Sequence, residues 1–358
     1  MDNTIHPKQF TARLYDETRR TFACRAVSRR DFSLWSDVAR PALLELLGLG
    51  QIARELGEFV PSVDLAPEAE AFPGYSRWRG MLHSEPGVDI PFWLLEPDGP
   101  GPHPIAILPH GHENFGMDTY VGIAQDEAKR EKIEREDRDV AVQAARRGML
   151  AIAPTTRGFF PATIPDERTR HGGQHCRSYA LHAALAGRAA TGDRVWDMMR
   201  LLDWAIARPD TDASRILAMG NSGGGMVTTY LAACDPRVAV AVPSCSFCSL
   251  ASREGHLHHC DCNLVPGILR WGEFWDVAGL IAPRHLLVVN GAHDPLFPLA
   301  EVDRAVVELA RLFAAAEVPD HFAHRYGDGG HRFYKDLMWP FVEQALSQAC
   351  AATSLGIG

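Results

Sequence analysis

Apolar residues recur along this chain in two rhythms. Between Thr11 and Gly57, residues Phe32, Leu34, Trp35, Val38, Leu43, Leu44, Leu46 and Leu47 keep mostly helical spacing, interrupted at Pro41. This predicts a helical N-terminal arm packed on the rest of the molecule. A Pro/Glu/Ala-rich segment from Pro61 to Pro73 reads as the linker leading out of it. Tyr75–His83 and Val88–Glu96 then read as strands joined by Glu85-Pro86-Gly87, a hairpin signal. Past the turn at Pro97–Pro104, short apolar runs alternate with helical stretches. The runs Ile105–Pro109, Met149–Pro154, Ile216–Met219, Val238–Val242, His285–Asn290 and His321–Tyr326 predict strands. Asp126–Arg147, Arg194–Ala207 and Met226–Ala233 predict helices, the second with Val195, Met198, Met199, Leu202, Ala205 and Ile206 on one face. Such alternation builds an α/β fold with a mostly parallel central sheet, helices on both faces and an antiparallel N-terminal hairpin at one edge. The division expected is residues 1–73 as arm and linker and residues 74–358 as the main domain.

Composition narrows the partners. A chain of 358 residues, 46% hydrophobic and 23% charged, is long enough for one large α/β core. The net charge is −9, and no Lys/Arg block interleaves with aromatics, so neither nucleic acid nor an anionic membrane surface is an expected partner. A small-molecule substrate suits this balance, and a homo-oligomer is left open. With no signal-peptide pattern in Met1–Phe10, a cytoplasmic location is expected. The eight cysteines are scattered through a chain that does not need a disulfide framework, and are expected as reduced thiols.

The candidate chemistry centres on Gly220-Asn221-Ser222-Gly223-Gly224-Gly225, which follows the strand Ile216–Met219 and opens a helix. A serine within Gly-x-Ser-x-Gly at a strand–turn–helix junction is a nucleophile elbow, the glycines admitting strained angles and close backbone approach. A serine hydroxyl needs a base, and the base an orienting carboxylate. Asp294 lies just past the C-terminal end of the strand His285–Asn290, where open α/β sheets present ligand-facing groups. His331 ends the loop Gly327-Asp328-Gly329-Gly330. The chain order Ser222, Asp294, His331 is that of an α/β-hydrolase triad. Asp328 is the rival acid, while His293, His321 and His324 are rival bases. For an oxyanion hole, the main-chain N–H groups of Gly223 and of His112 in Pro109-His110-Gly111-His112 are in position. His110, Asn221, His258 and His259 are candidate substrate contacts. The dense run His256-Leu257-His258-His259-Cys260-Asp261-Cys262 invites a metal reading, yet its spacing matches no zinc finger or ribbon. It is read as a structural or substrate-lining loop, and no metal or other cofactor is expected.

His110-Gly111-His112, Arg157-Gly158, Gly192-Asp193-Arg194-Val195-Trp196-Asp197, Gly220–Gly224, Cys262-Asn263, Pro266-Gly267, Ile281-Ala282-Pro283-Arg284, Asp294-Pro295 and Gly329-Gly330-His331 together carry a resemblance. From about Tyr75 to Leu346 the chain resembles the acetyl xylan esterase-like branch of bacterial α/β-hydrolases, related to dienelactone hydrolases. The resemblance implies metal-independent hydrolysis of a carboxylic ester through an acyl-enzyme. Lactone or peptide hydrolysis by the same residues, or a binding module that keeps the pocket, are the alternatives.

Overall fold

The computed structural model describes residues 7–113, 115–159, 175–252 and 255–354. Ten strands form one sheet: β1 (Ser62–Leu65), β2 (Glu70–Phe72), β3 (Tyr75–Glu85), β4 (Val88–Pro97), β5 (His103–Ile107), β6 (Leu150–Pro154), β7 (Thr211–Asn221), β8 (Val240–Ser244), β9 (His285–Gly291) and β10 (Phe322–Gly327). Their order is β1-β3-β4-β6-β5-β7-β8-β9-β10, with β2 paired to β3. Pairs up to β4–β6 are antiparallel, and those from β6 to β10 are parallel. The sheet is thus an α/β-hydrolase sheet with the expected antiparallel hairpin at one end.

Successive residues of the central strands enter different cores, as the two-residue period of a strand requires. Ile105, Ile107, Ile216, Ala218, Leu286 and Val288 bury into one face. Ala106, Leu108, Leu217, Met219, Leu287 and Val289 bury into the other. Because both faces are covered, these strands are continuous apolar runs, which is why they were legible as such. Helices Ala190–Ile206, Gly223–Cys234 and Leu299–Ala315 cover the first face. Helices Val140–Ala145 and Lys335–Ser354 cover the second.

The N-terminal helices belong to the first core. Phe32, Ala39, Leu43, Leu47 and Ile52 are buried there, and Arg40 donates to the carbonyls of Ala233 and Leu280. Helix Arg29–Leu46 runs through Pro41 instead of breaking at it. Ala39 and Leu43 on either side are fully buried, and that packing outweighs the missing donor. The segment Pro61–Pro73, expected as a linker, contributes β1 and β2. Strands of three and four residues are too short to leave a readable period. The helix expected over Asp126–Arg147 is two, Glu127–Arg135 and Val140–Ala145, separated at Asp137, whose φ is 55°. Lys335 and Arg332 hold the Asp137 carboxylate at 3.0 and 3.5 Å. Among the described residues, no helix is long and apolar enough to cross a membrane.

One topological feature positions the site. The chain leaves β5 toward β6 on one side, then returns to β7 on the other. The loops leaving the carboxyl ends of β5 and β7 therefore part in opposite directions and open a crevice between them.

Candidate active site

β7 delivers Ser222 to that crevice. Ser222 has φ 60° and ψ −125°, a conformation that costs a side-chain-bearing residue about 1–3 kcal/mol and is tolerated where surrounding structure enforces it. The enforcement is visible in the contacts. The Ser222 N–H donates to Ser244 O of β8 at 2.9 Å. Asn221 donates through its main chain to the Tyr120 hydroxyl at 3.2 Å and through Nδ2 to the carbonyls of Ser244 and Arg332 at 3.3 Å. A Cβ on Gly224 would stand 2.0 Å from Pro109 O, so the loop after β5 and the first turn of helix Gly223–Cys234 interlock only because position 224 has no side chain.

The loop after β5 lies directly on this elbow. A Cβ on Gly111 would fall 2.8 Å from Asn221 O, 3.0 Å from Gly223 N and 3.1 Å from Ser222 Cβ. Gly223 opens its helix, so its N–H has no intrahelical acceptor. His110 is buried beneath the loop: its Nδ1 lies 2.7 Å from Gly111 O, and Nε2 accepts from the Thr156 N–H at 3.1 Å. Burial holds the imidazole down to about 4, so it is neutral. Both ring nitrogens of His110 are thus engaged by main chain, which shapes the loop.

Asp294 and His331 meet on the other side of Ser222. The carboxylate sits in the turn after β9, with Oδ1 accepting from the Leu296 N–H at 3.0 Å and Oδ2 2.7 Å from His331 Nδ1. The Asp294 side chain is fully buried, while that of His331 is 22% exposed. A proton shared on that side leaves Nε2 as the acceptor. Two hydrogen bonds fix the loop: Tyr334 Oη donates to Gly330 O at 2.6 Å, and the His293 N–H donates to Gly329 O at 2.9 Å. Asp328 does not compete for His331; its side chain is 93% exposed and pairs with Arg332 at 3.3 Å. His321 and His324 are engaged elsewhere, by Pro283 O at 2.6 Å and Asn290 Oδ1 at 3.3 Å.

Two cavities meet at Ser222. One, about 160 Å³, is lined by Ser222, His331, His112, Asn221, Tyr120 and Arg138. The other, about 400 Å³, is lined by Ser222, Met226, Leu257, His258, His259 and Phe297. His258 and His259 thus share a cavity wall with the serine. His258 Nδ1 is 3.1 Å from the Ser249 hydroxyl. His259 stands between the rings of Phe274 and Phe297 at 5.4 and 5.5 Å, and burial holds it neutral, down to about 4.

Several residues around the site were not assigned a role from sequence. Arg157 donates to Asp197 Oδ2 at 2.6 Å and pairs with Glu85 at 2.6 Å, both carboxylates being buried. Arg188 joins Glu85 at 2.7 Å and Asp193 at 2.6 Å. Arg194 donates to Cys262 O at 3.0 Å and Asn263 Oδ1 at 2.9 Å, anchoring the His/Cys loop. Cys176 also escaped the reading. With His112, Cys260 and Cys262 it forms a cluster whose ligand atoms all lie within 4.8 Å of one another. Its members sit in three distant segments, and only Cys260 and Cys262 are close in sequence.

This fold, with a serine elbow and a histidine–carboxylate pair on the wall of one cavity, is the α/β-hydrolase fold. Known proteins agree. Residues 170–338 match the prolyl oligopeptidase family. The protein named "Putative hydrolase YtaP" of Bacillus subtilis (strain 168) is 30% identical over 150 residues, 41% of this chain and 50% of that protein. The chain thus matches about half the length of that relative. Among solved structures, Methylesterase BT1017 superposes with TM-score 0.68 and 21% identity, covering 96% of this chain and 68% of that one. An acetyl xylan esterase from Paenibacillus sp. R4 gives 0.55 and 19%, covering 93% and 98%. A glucuronoyl esterase from Solibacter usitatus gives 0.60 and 16%, covering 88% and 93%. The likeness to acetyl xylan esterase-like α/β-hydrolases drawn from the sequence motifs is met again in three dimensions.

Proposed function

We propose that the protein is a serine hydrolase that cleaves a carboxylic ester of a small molecule through an acyl-enzyme intermediate. One observation carries the reading: a buried carboxylate 2.7 Å from His331 Nδ1, with His331 and the strained Ser222 on the wall of one cavity. In this reading His331 Nε2 takes the Ser222 proton as Oγ attacks the acyl carbonyl. The N–H groups of Gly223 and His112 receive the developing oxyanion. His331 returns the proton to the leaving alcohol, and the acyl group stays on Ser222. Water, deprotonated by the same imidazole, then releases the acid and restores the serine. Asp294 holds the productive tautomer and stabilises the imidazolium. The cavities on the two sides of Ser222 would take the acyl and alcohol portions, and their sizes favour a small ester. The esterase names of the structural neighbours support the same substrate class.

The family match over residues 170–338 favours a second reading, peptide-bond cleavage by the same groups. A panel of methyl, acetyl and glucuronoyl esters, a lactone and peptide anilides separates the two. Ester turnover that vanishes in Ser222→Ala supports the first reading. Anilide turnover without ester turnover supports the second.

A further inference from the structure

Three separate segments bring soft metal ligands to one point beside the active-site crevice. His112 comes from the loop after β5, Cys176 from the first turn of helix His175–Leu185, and Cys260 and Cys262 from the loop before Leu264. His112 Nε2 is 3.1 Å from Cys262 Sγ, and the four ligand atoms lie within 4.8 Å of one another. Zinc bonds of ~2.3 Å to sulfur and ~2.0–2.1 Å to nitrogen put tetrahedral ligands roughly 3.5–3.8 Å apart, so closing on an ion needs shifts of about an ångström or less.

The fully buried Arg194 guanidinium donates to Cys262 O at 3.0 Å, which places a fixed positive charge beside the cluster. Arg177 pairs with Asp261 at 2.6 Å, tying the helix to the Cys260–Cys262 loop.

We propose that His112, Cys176, Cys260 and Cys262 form a closed zinc-binding site. Three thiolates and one imidazole select zinc among the common divalent ions. With all four positions filled by protein, the ion would be structural and would not carry an open position for water. It would tie the His/Cys loop and helix His175–Leu185 to the loop of Gly111 and His112. The consequence for turnover rests on the hydrolase reading, because His112 would then be a ligand through its ring and an oxyanion donor through its main chain. Zinc binding itself does not rest on that reading.

The test is metal content. Protein produced with zinc in the medium and purified without chelator should carry one zinc per chain by elemental analysis. The reduced apo-protein, made by displacing zinc with a thiol-binding mercurial and then removing the mercurial with excess thiol, should take up one Co²⁺ with tetrahedral d–d and thiolate charge-transfer absorption. Cys176→Ser and Cys262→Ser should lose the ion. Cys24→Ser, whose thiol is remote from the cluster, should keep it, and so should Ser222→Ala, whatever becomes of the esterase reading. Wild-type protein with free thiols that binds neither zinc nor Co²⁺ stoichiometrically would overturn the proposal. So would a disulfide among Cys176, Cys260 and Cys262 found by mass spectrometry, and this holds even if the serine variants fail to fold. If zinc is present, its removal should lower kcat at least tenfold with a smaller change in KM.

Discussion

Replacing Asp294 by Asn changes one group and little volume, so its effect can be followed atom by atom. In the native site Oδ1 accepts from the Leu296 N–H at 3.0 Å and Oδ2 accepts from His331 Nδ1–H at 2.7 Å. The asparagine oxygen can keep the first bond only by turning its NH₂ toward His331. Nδ1 must then accept, and the imidazole proton moves to Nε2, the nitrogen that should receive the Ser222 proton. The imidazolium formed on attack also loses a fully buried negative neighbour. Together these should lower kcat by roughly 10²–10⁴, or about 2.7–5.5 kcal/mol at about 1.36 kcal/mol per decade, with KM little changed. Asp328→Asn removes only a surface pair with Arg332, since the aspartate side chain is 93% exposed, and should cost less than about threefold. The assay is kcat on a chromogenic ester for both variants, with melting temperatures to show that both are folded. A folded Asp294→Asn enzyme within fivefold of wild type, or a larger loss at Asp328, would refute the assignment of the acid.

Two further predictions concern stability. Asp197→Ala leaves the Arg157 guanidinium, 6% exposed, without its bidentate partner. Breaking a buried pair of this kind should cost about 3–5 kcal/mol in denaturant unfolding, and a loss under about 1 kcal/mol would contradict the network's role. His110, His259, His285 and His324 are each held down to about 4 by burial. Unfolded histidine takes its proton near pH ~6.5, so the unfolded chain binds more protons between there and 4. The stability from burying these rings neutral is fully present above that range and is lost as pH falls through it. The melting temperature should thus drop between pH 6.5 and 5, and a flat profile across that window would contradict their neutral burial.

The sequence reading succeeded where a single local signal was strong. Strands buried on both faces are continuous apolar runs, and at the Ser222 elbow Gly220 and Gly224 leave no room for a Cβ against neighbouring backbone. The same reading failed where structure is set by partners distant in the chain. Pro41 is carried through its helix by packing of Ala39 and Leu43 on the sheet's core. β1 and β2 exist only as partners of β3. The partner of His110 Nε2, the Thr156 N–H from the loop after β6, is likewise set by the fold. The approach of Cys176 and His112 to the His/Cys loop is visible only once the fold brings three segments together.

A Ser222 nucleophile activated by His331 is open to intact-mass analysis of the protein after reaction with a fluorophosphonate, followed by peptide mapping. One adduct per chain is expected, located on Ser222, absent from Ser222→Ala and slowed at least a hundredfold in His331→Ala, with all three proteins folded. No adduct on folded wild-type protein, an adduct on another residue, or unchanged labelling without the histidine would contradict it.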